Sequence, residues 1–173
     1  MRLHFVDINQ AVVDALAFAF AAHPDVEVCY ADLLDVATHC VVSPANSYGF
    51  MDGGIDADYC RFFGPFIQNT VHEAILRRPE GFLPVGAALA VITNHARIPY
   101  MIVAPTMEVP ETVSAAHAGR ALGAGWRRIV RLPYPGDDVF CPGLATLVGG
   151  VDPKDAAASM LSAYEHWLKA NSE

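Results

Sequence analysis

Charge is scarce in this chain of 173 residues: only 17% are Asp, Glu, Lys or Arg, against 53% hydrophobic. With a mean hydropathy of +0.29, that composition excludes disorder and a coiled coil, both of which need more charge. Cations are scarcer still, 11 Lys and Arg against 19 Asp and Glu, for a net charge of −8. A general binder of the nucleic-acid backbone needs a basic patch, so that class is set aside. A small anionic ligand is not excluded, because backbone N–H groups and helix N-termini hold phosphate without cationic side chains. Long apolar runs are missing too. The longest candidate, Ala11–Ala22, is interrupted by Asp14 and followed by His23 and Pro24, short of the roughly 18 residues a membrane span requires. No membrane partner is expected. The chain does not open on a basic stretch, apolar core and small-residue cleavage site, which leads to an expected cytoplasmic location. The four cysteines, Cys29, Cys40, Cys60 and Cys141, form no C-x-x-C pair and read as reduced core thiols. A zinc site built on Cys29, His39 and Cys40 has poor spacing, and the seven histidines show no H-x-x-x-H pair. No metal or other cofactor is expected.

What the chain does have is an alternation of strand-like and helix-like segments. Leu3–Val6, Val26–Tyr30, Cys40–Val42, Ala88–Thr93, Tyr100–Ala104 and Val139–Cys141 read as strands. The Ala88 and Tyr100 runs are near-continuously apolar, the mark of strands buried on both faces. Asn9 stands at an N-cap position before the helical stretch Ala11–Ala22. Further helices are expected from about Asp56 to Phe63, over Phe66–Leu76, and from Asp152-Pro153 to about Ala170, with Pro153 in a first turn. Ser114–Leu122 and Gly125–Arg131 read as one helix or two, weakened by Gly119, Gly123 and Gly125. Residues 1–173 are expected to form a single domain, an α/β three-layer α/β/α sandwich on a mixed, mostly parallel sheet. Ligands of such folds bind beyond the carboxyl ends of the strands, so the loops after strands matter most.

One such loop is informative. Val41 and Val42 run into Ser43-Pro44-Ala45-Asn46, then a loop with Gly49, Gly53 and Gly54, then a helix near Ile55-Asp56. The glycine pair lets backbone amides approach a ligand and permits a positive φ. The following helix aims its positive end at the same space. Asn46 offers a donor and an acceptor, suited to sugar hydroxyls. The plainer reading is a tight strand-to-helix turn with Asp56 as the N-cap. Neither G-x-G-x-x-G nor a Walker loop is present. Phe50 and Tyr48, within the loop, are candidates for ligand contact.

With these residues the chain resembles the macrodomain family of ADP-ribose-binding modules. Ser43-Pro44-Ala45-Asn46 resembles the family's N-A-A-N, and Ile55-Asp56 through Gly64 resembles V-D-x-x-I-x-x-x-x-G. Ala31-Asp32-Leu33 falls where relatives carry G-D-I. Leu83-Pro84-Val85-Gly86-Ala87 resembles C-P-T-G-E, and Phe140-Cys141-Pro142-Gly143-Leu144-Ala145-Thr146 resembles the second ligand loop. The variant motifs suggest a divergent bacterial or phage-type branch.

The resemblance implies a role for each matched position. Asp32 would accept from the adenine amine, with the backbone N–H of Leu33 beside it. Asn46 would hold the distal ribose. Gly53, Gly54 and Ile55 would line the diphosphate and distal ribose with amides, and Ala145, Thr146, Leu147 and Val148 would wrap the phosphates from the other side. Asp56, with Asn46, would be the catalytic pair if the protein hydrolyses ADP-ribose from modified macromolecules. The implied partner is therefore ADP-ribose or an ADP-ribosylated macromolecule. Two alternatives stand beside it: a phosphatase or hydrolase of small ADP-ribose derivatives, and a non-catalytic interaction module. Three positions depart from the pattern: Leu147 replaces a loop glycine, Gly149 an aromatic residue, and Cys60 a histidine common in hydrolytic relatives.

Overall fold

Twelve elements alternate along the chain of this computed structural model, which describes residues 1–133, 136 and 138–171. They are β1 (Arg2–Asp7), α1 (Gln10–Ala19), β2 (Val26–Tyr30), α2 (Leu33–Val36), β3 (Cys40–Ser43) and α3 (Gly54–Phe63). Then come α4 (Phe66–Leu76), β4 (Leu89–Ile92), β5 (Tyr100–Val103), α5 (Ala116–Ile129), β6 (Asp138–Cys141) and α6 (Pro153–Ala170). The strands form one sheet in the order β2-β1-β6-β3-β5-β4. All neighbours are parallel except β4, which runs antiparallel to β5.

The two-residue period of the strands divides the interior. Leu3, Phe5, Cys40, Val42, Ile102, Val139 and Cys141 point into one core, shared with Leu16 of α1, Trp126 of α5 and Met160 of α6. Val6, Val41, Met101, Val103 and Phe140 point into the other, shared with Tyr59 of α3 and Ile67 of α4. Helices cover both faces of a mixed, mostly parallel sheet, the α/β/α sandwich that the alternation predicts.

The helix signals act as their chemistry suggests. Asn9 Oδ1 accepts from the Ala11 amide at 3.0 Å, and Asp152 Oδ1 accepts from the Lys154 amide at 2.9 Å. Segment α5 is one helix despite its glycines. A Cβ at Gly119 would lie 2.6 Å from the Ser159 carbonyl oxygen, so the glycine lets α6 approach closely. Three readings are corrected. The Ala88 run is not buried on both faces: β4 is an edge strand, and Ile92 is exposed. Helix α1 ends at Ala19 instead of Ala22. The sequence reading also omits α2, whose four residues are too few to show a helical period. Cys29 lies on β2 and Cys40 on β3, with β1 and β6 between them. Among the described residues no helix is long and apolar enough to cross a membrane.

Parallel strands end on the same edge of a sheet. The segments after β1, β2, β3, β5 and β6 therefore converge there.

Candidate functional site

A cavity of about 950 Å³ opens at that edge. It brings together the residues to which the resemblance assigns a role: Asp32 and Leu33 after β2, Asn46 after β3, and Gly53, Gly54, Ile55 and Asp56 at the start of α3. Ala145, Thr146, Leu147 and Val148, after β6, complete the set. Three strand spacings separate β2 from β3, so the cavity is elongated by roughly 14 Å between Asp32 and Asn46. Its lining includes Asp7, Asp32, Asp52, Asp56 and Asp58 but neither Lys nor Arg.

Asn46 organises the first loop. Its Oδ1 accepts from the amides of Tyr48 (3.1 Å) and Phe50 (3.2 Å), and its Nδ2 donates to the Phe50 carbonyl at 2.9 Å. The side chain read as a ribose holder thus pins the loop, with one amide hydrogen left over. Gly54 adopts φ +56°, the left-handed region that glycine enters without penalty. Gly53, extended at φ −140°, is the N-cap of α3. The first-turn amides of a helix have no helical acceptor, so those of Gly54 and Ile55 are free to serve the cavity.

Asp56 is not the cap that its position suggests. It is the third residue of α3, buried, and accepts from Ser43 Oγ at 2.6 Å and from the Ala45 amide. Burial pushes its carboxyl up to about 7, against the pull of those two donors. A neutral or anionic acid at the cavity wall, poised near neutrality, can take or give a proton.

The second loop is tied at both ends. The Val151 amide donates to the Ala145 carbonyl at 3.1 Å and that of Gly150 to the Leu147 carbonyl at 3.1 Å. Between them the amides of Thr146, Leu147 and Val148 have no protein acceptor among the described residues. Leu147 Cδ2 lies 3.5 Å from where a Cβ on Gly54 would sit, so the two loops meet across the cavity. Gly149 cannot carry the aromatic side chain of relatives, since a Cβ there would lie 2.6 Å from the Ala145 carbonyl oxygen.

The sequence reading passes over Asp7, which ends β1. Its Oδ1 accepts from the Asn9 amide at 2.8 Å and its Oδ2 from the Gly143 amide at 3.0 Å, fastening the β6 loop to β1. An acid directly after an apolar strand and two residues before an N-cap was the available signal. A Cβ at Gly143 would lie 2.4 Å from Val12 Cγ1. Gly143→Ala is therefore expected to destabilise the protein by about 1–3 kcal/mol, measured by urea unfolding. Of the two loop aromatics, Phe50 lines the cavity, whereas Tyr48 packs toward Phe82 with ring centroids 6.3 Å apart. Cys60 is half-buried outside the lining, its thiol raised by burial and by Asp56, so it is no activated thiolate.

Residues 42–160 match the family described as Macro domain. The chain belongs to that family. Family members bind ADP-ribose. An uncharacterized protein of Aquifex aeolicus is 32% identical to this macrodomain over 139 residues, 78% of this chain and 76% of that protein. Among solved structures, the macrodomain of Mycobacterium tuberculosis DarG superposes with a TM-score of 0.67 at 25% identity, covering 79% of this chain and 88% of the other. The Oceanobacillus iheyensis macrodomain with ADP superposes with a TM-score of 0.63 at 19% identity, covering 78% and 71%. These likenesses match the mixed six-stranded sheet between helix layers.

Proposed function

We propose that this macrodomain binds ADP-ribose along the cavity, with adenine at the β2 end, diphosphate between the two loops and the distal ribose at the β3 end. The observation that carries the reading is the pair of amide rows, Gly54-Ile55 and Thr146-Leu147-Val148, without a protein acceptor among the described residues, on one cavity whose lining holds neither Lys nor Arg. Amides alone can hold a diphosphate in an acidic protein. The ADP bound in the Oceanobacillus iheyensis macrodomain supports the same ligand class.

The adenine end is testable by a swap. Asp32 Oδ1 caps α2 by accepting from the Leu34 amide at 2.9 Å, which leaves Oδ2 for the adenine amine. Asp32→Asn preserves the cap, since Asn caps as well as Asp, but sets an amide donor against the adenine donor. Calorimetry is expected to show a loss of about 1–3 kcal/mol for ADP-ribose, and a gain in relative affinity for the hypoxanthine analogue. Equal affinity of the wild-type protein for both ligands would remove Asp32 from base reading.

A hydrolytic reading rests on Asp56. Its buried carboxyl, with a pKa pushed up to about 7, stands at the wall of the distal end. In this reading Asp56 accepts a proton from water as its oxygen bonds to the anomeric carbon. The bond from that carbon to the modified side chain breaks, and the side chain leaves with the proton that Asp56 returns, while Asn46, through the loop it pins, positions the ribose. Release of ADP-ribose from modified proteins is expected to fall at least about 100-fold in Asp56→Asn with binding retained. No release above the enzyme-free control, across several linkages, would make the protein a reader of the modification.

A further inference from the structure

The far end of the cavity carries a feature that neither amide row uses. Phe50 is 52% exposed, yet it is held: Asn46 clamps its N–H and C=O, and its ring meets His72 edge-on at 5.5 Å between centroids. A large aromatic ring at a cavity mouth, on a backbone clamped by Asn46 and with His72 against its edge, is a preorganised platform. The loop after β5 lies beside the first loop, because the Ser47 amide donates to the Met107 and Glu108 carbonyls at 3.0 and 3.1 Å. That loop is tied in turn to the second ligand loop by the Val113 amide on the Gly149 carbonyl.

The two loops beside the platform carry acidic side chains, while from α4 His72 meets the ring and Gln68 accepts from the Met51 amide. Asp52 is exposed on the first loop, and Glu108 and Glu111 are exposed on the loop after β5. Neither Lys nor Arg occurs in residues 46–60 or 104–119, where the other titratable side chains are Asp56, Asp58, Tyr48, Tyr59, Cys60 and His117. An exposed aromatic face on acidic loops without Lys or Arg favours a planar cation over a neutral sugar or an anionic polymer. The net charge of −8 points the same way.

We propose that Phe50 sets specificity at the distal end, and that the group it selects is the guanidinium of an ADP-ribosylated arginine. This rests on the ADP-ribose reading above and adds the class of the attached residue. An arginine joined through nitrogen to the anomeric carbon keeps its planar cation, and that cation emerges at the β3 end, where Phe50 stands.

The test compares four ligands by calorimetry: free ADP-ribose, one peptide modified on arginine, its counterpart modified on serine, and an ADP-ribosylated oligonucleotide. Where cleavage occurs, kcat/KM is read in the same way. The arginine-linked ligand is expected to bind roughly 3- to 30-fold more tightly than free ADP-ribose, and the serine-linked peptide about equally to it. Phe50→Ala is expected to bring the arginine-to-free ratio to about one, whereas Phe50→Tyr keeps it. A wild-type ratio of one, a ratio that survives Phe50→Ala, or a larger gain for the oligonucleotide would overturn the proposal. If free ADP-ribose binds and the ratio is one, only this inference falls. If no ADP-ribosyl ligand binds, the functional reading falls with it.

Discussion

Gly54→Val is expected to abolish ADP-ribose binding in a protein that still folds. Gly54 sits at φ +56°, where a residue with a Cβ costs roughly 1–2 kcal/mol and a β-branched one more. The added carbons would also project toward Leu147, whose Cδ2 lies 3.5 Å from the new Cβ. Relieving either problem turns the first peptide of α3 and scatters the amides that would face the phosphates. The strain falls on the exposed first residue of α3, outside both cores, so a melting temperature lowered by about 5 °C is expected instead of unfolding. The binding loss should reach at least about 100-fold, near 3 kcal/mol. Gly54→Ala, with the same backbone strain and less bulk, should fall between. Unchanged titration of the Val variant would mean that the loop is only a turn.

Asp56 should dominate the pH dependence of stability. In the folded protein its carboxyl is raised from 3.8 to about 7, with burial as the cause. Between those values the native state holds a proton that the unfolded chain releases. Stability contributed by this proton is fully present below about pH 4 and is lost as pH rises through 7. The loss amounts to about 4 kcal/mol and levels off once both states are ionised. Urea unfolding of the wild-type protein at pH 5 and at pH 8 should therefore favour pH 5 with respect to this group. Asp56→Asn, which can still accept from Ser43 Oγ, should flatten the profile across that window. If the variant keeps the wild-type slope, Asp56 ionises normally and the near-neutral acid of the hydrolytic reading is lost.

The first loop of this site is legible in the sequence from local rules, and the adenine end and second loop only from the family resemblance. An apolar run ending in a small polar cluster, then glycine, then a helix start, places amides at a strand's carboxyl end whatever the tertiary detail. What escaped was decided by packing between distant segments. The partner of Asp7 is 136 residues away, at Gly143. The role of Asp56 depends on Ser43 reaching it from β3, which turns an apparent cap into a buried acid. The Ala88 run reads as a buried strand by composition, but strand order leaves β4 at the edge. The four-residue α2 has no period to detect, yet it is what gives Asp32 its position.

Titration of the purified wild-type protein with ADP-ribose, ADP and AMP, followed by calorimetry and thermal shift, tests the central claim most directly. A ligand that binds only the folded state adds RT ln(1 + [L]/Kd), about 2.7 kcal/mol at a hundredfold excess over Kd. Saturable one-to-one binding is expected, strongest for ADP-ribose and weakest for AMP, which reaches neither the second phosphate nor the distal end of the cavity. Absence of stabilisation by all three at millimolar concentration, or an affinity for AMP equal to that for ADP-ribose, would contradict it.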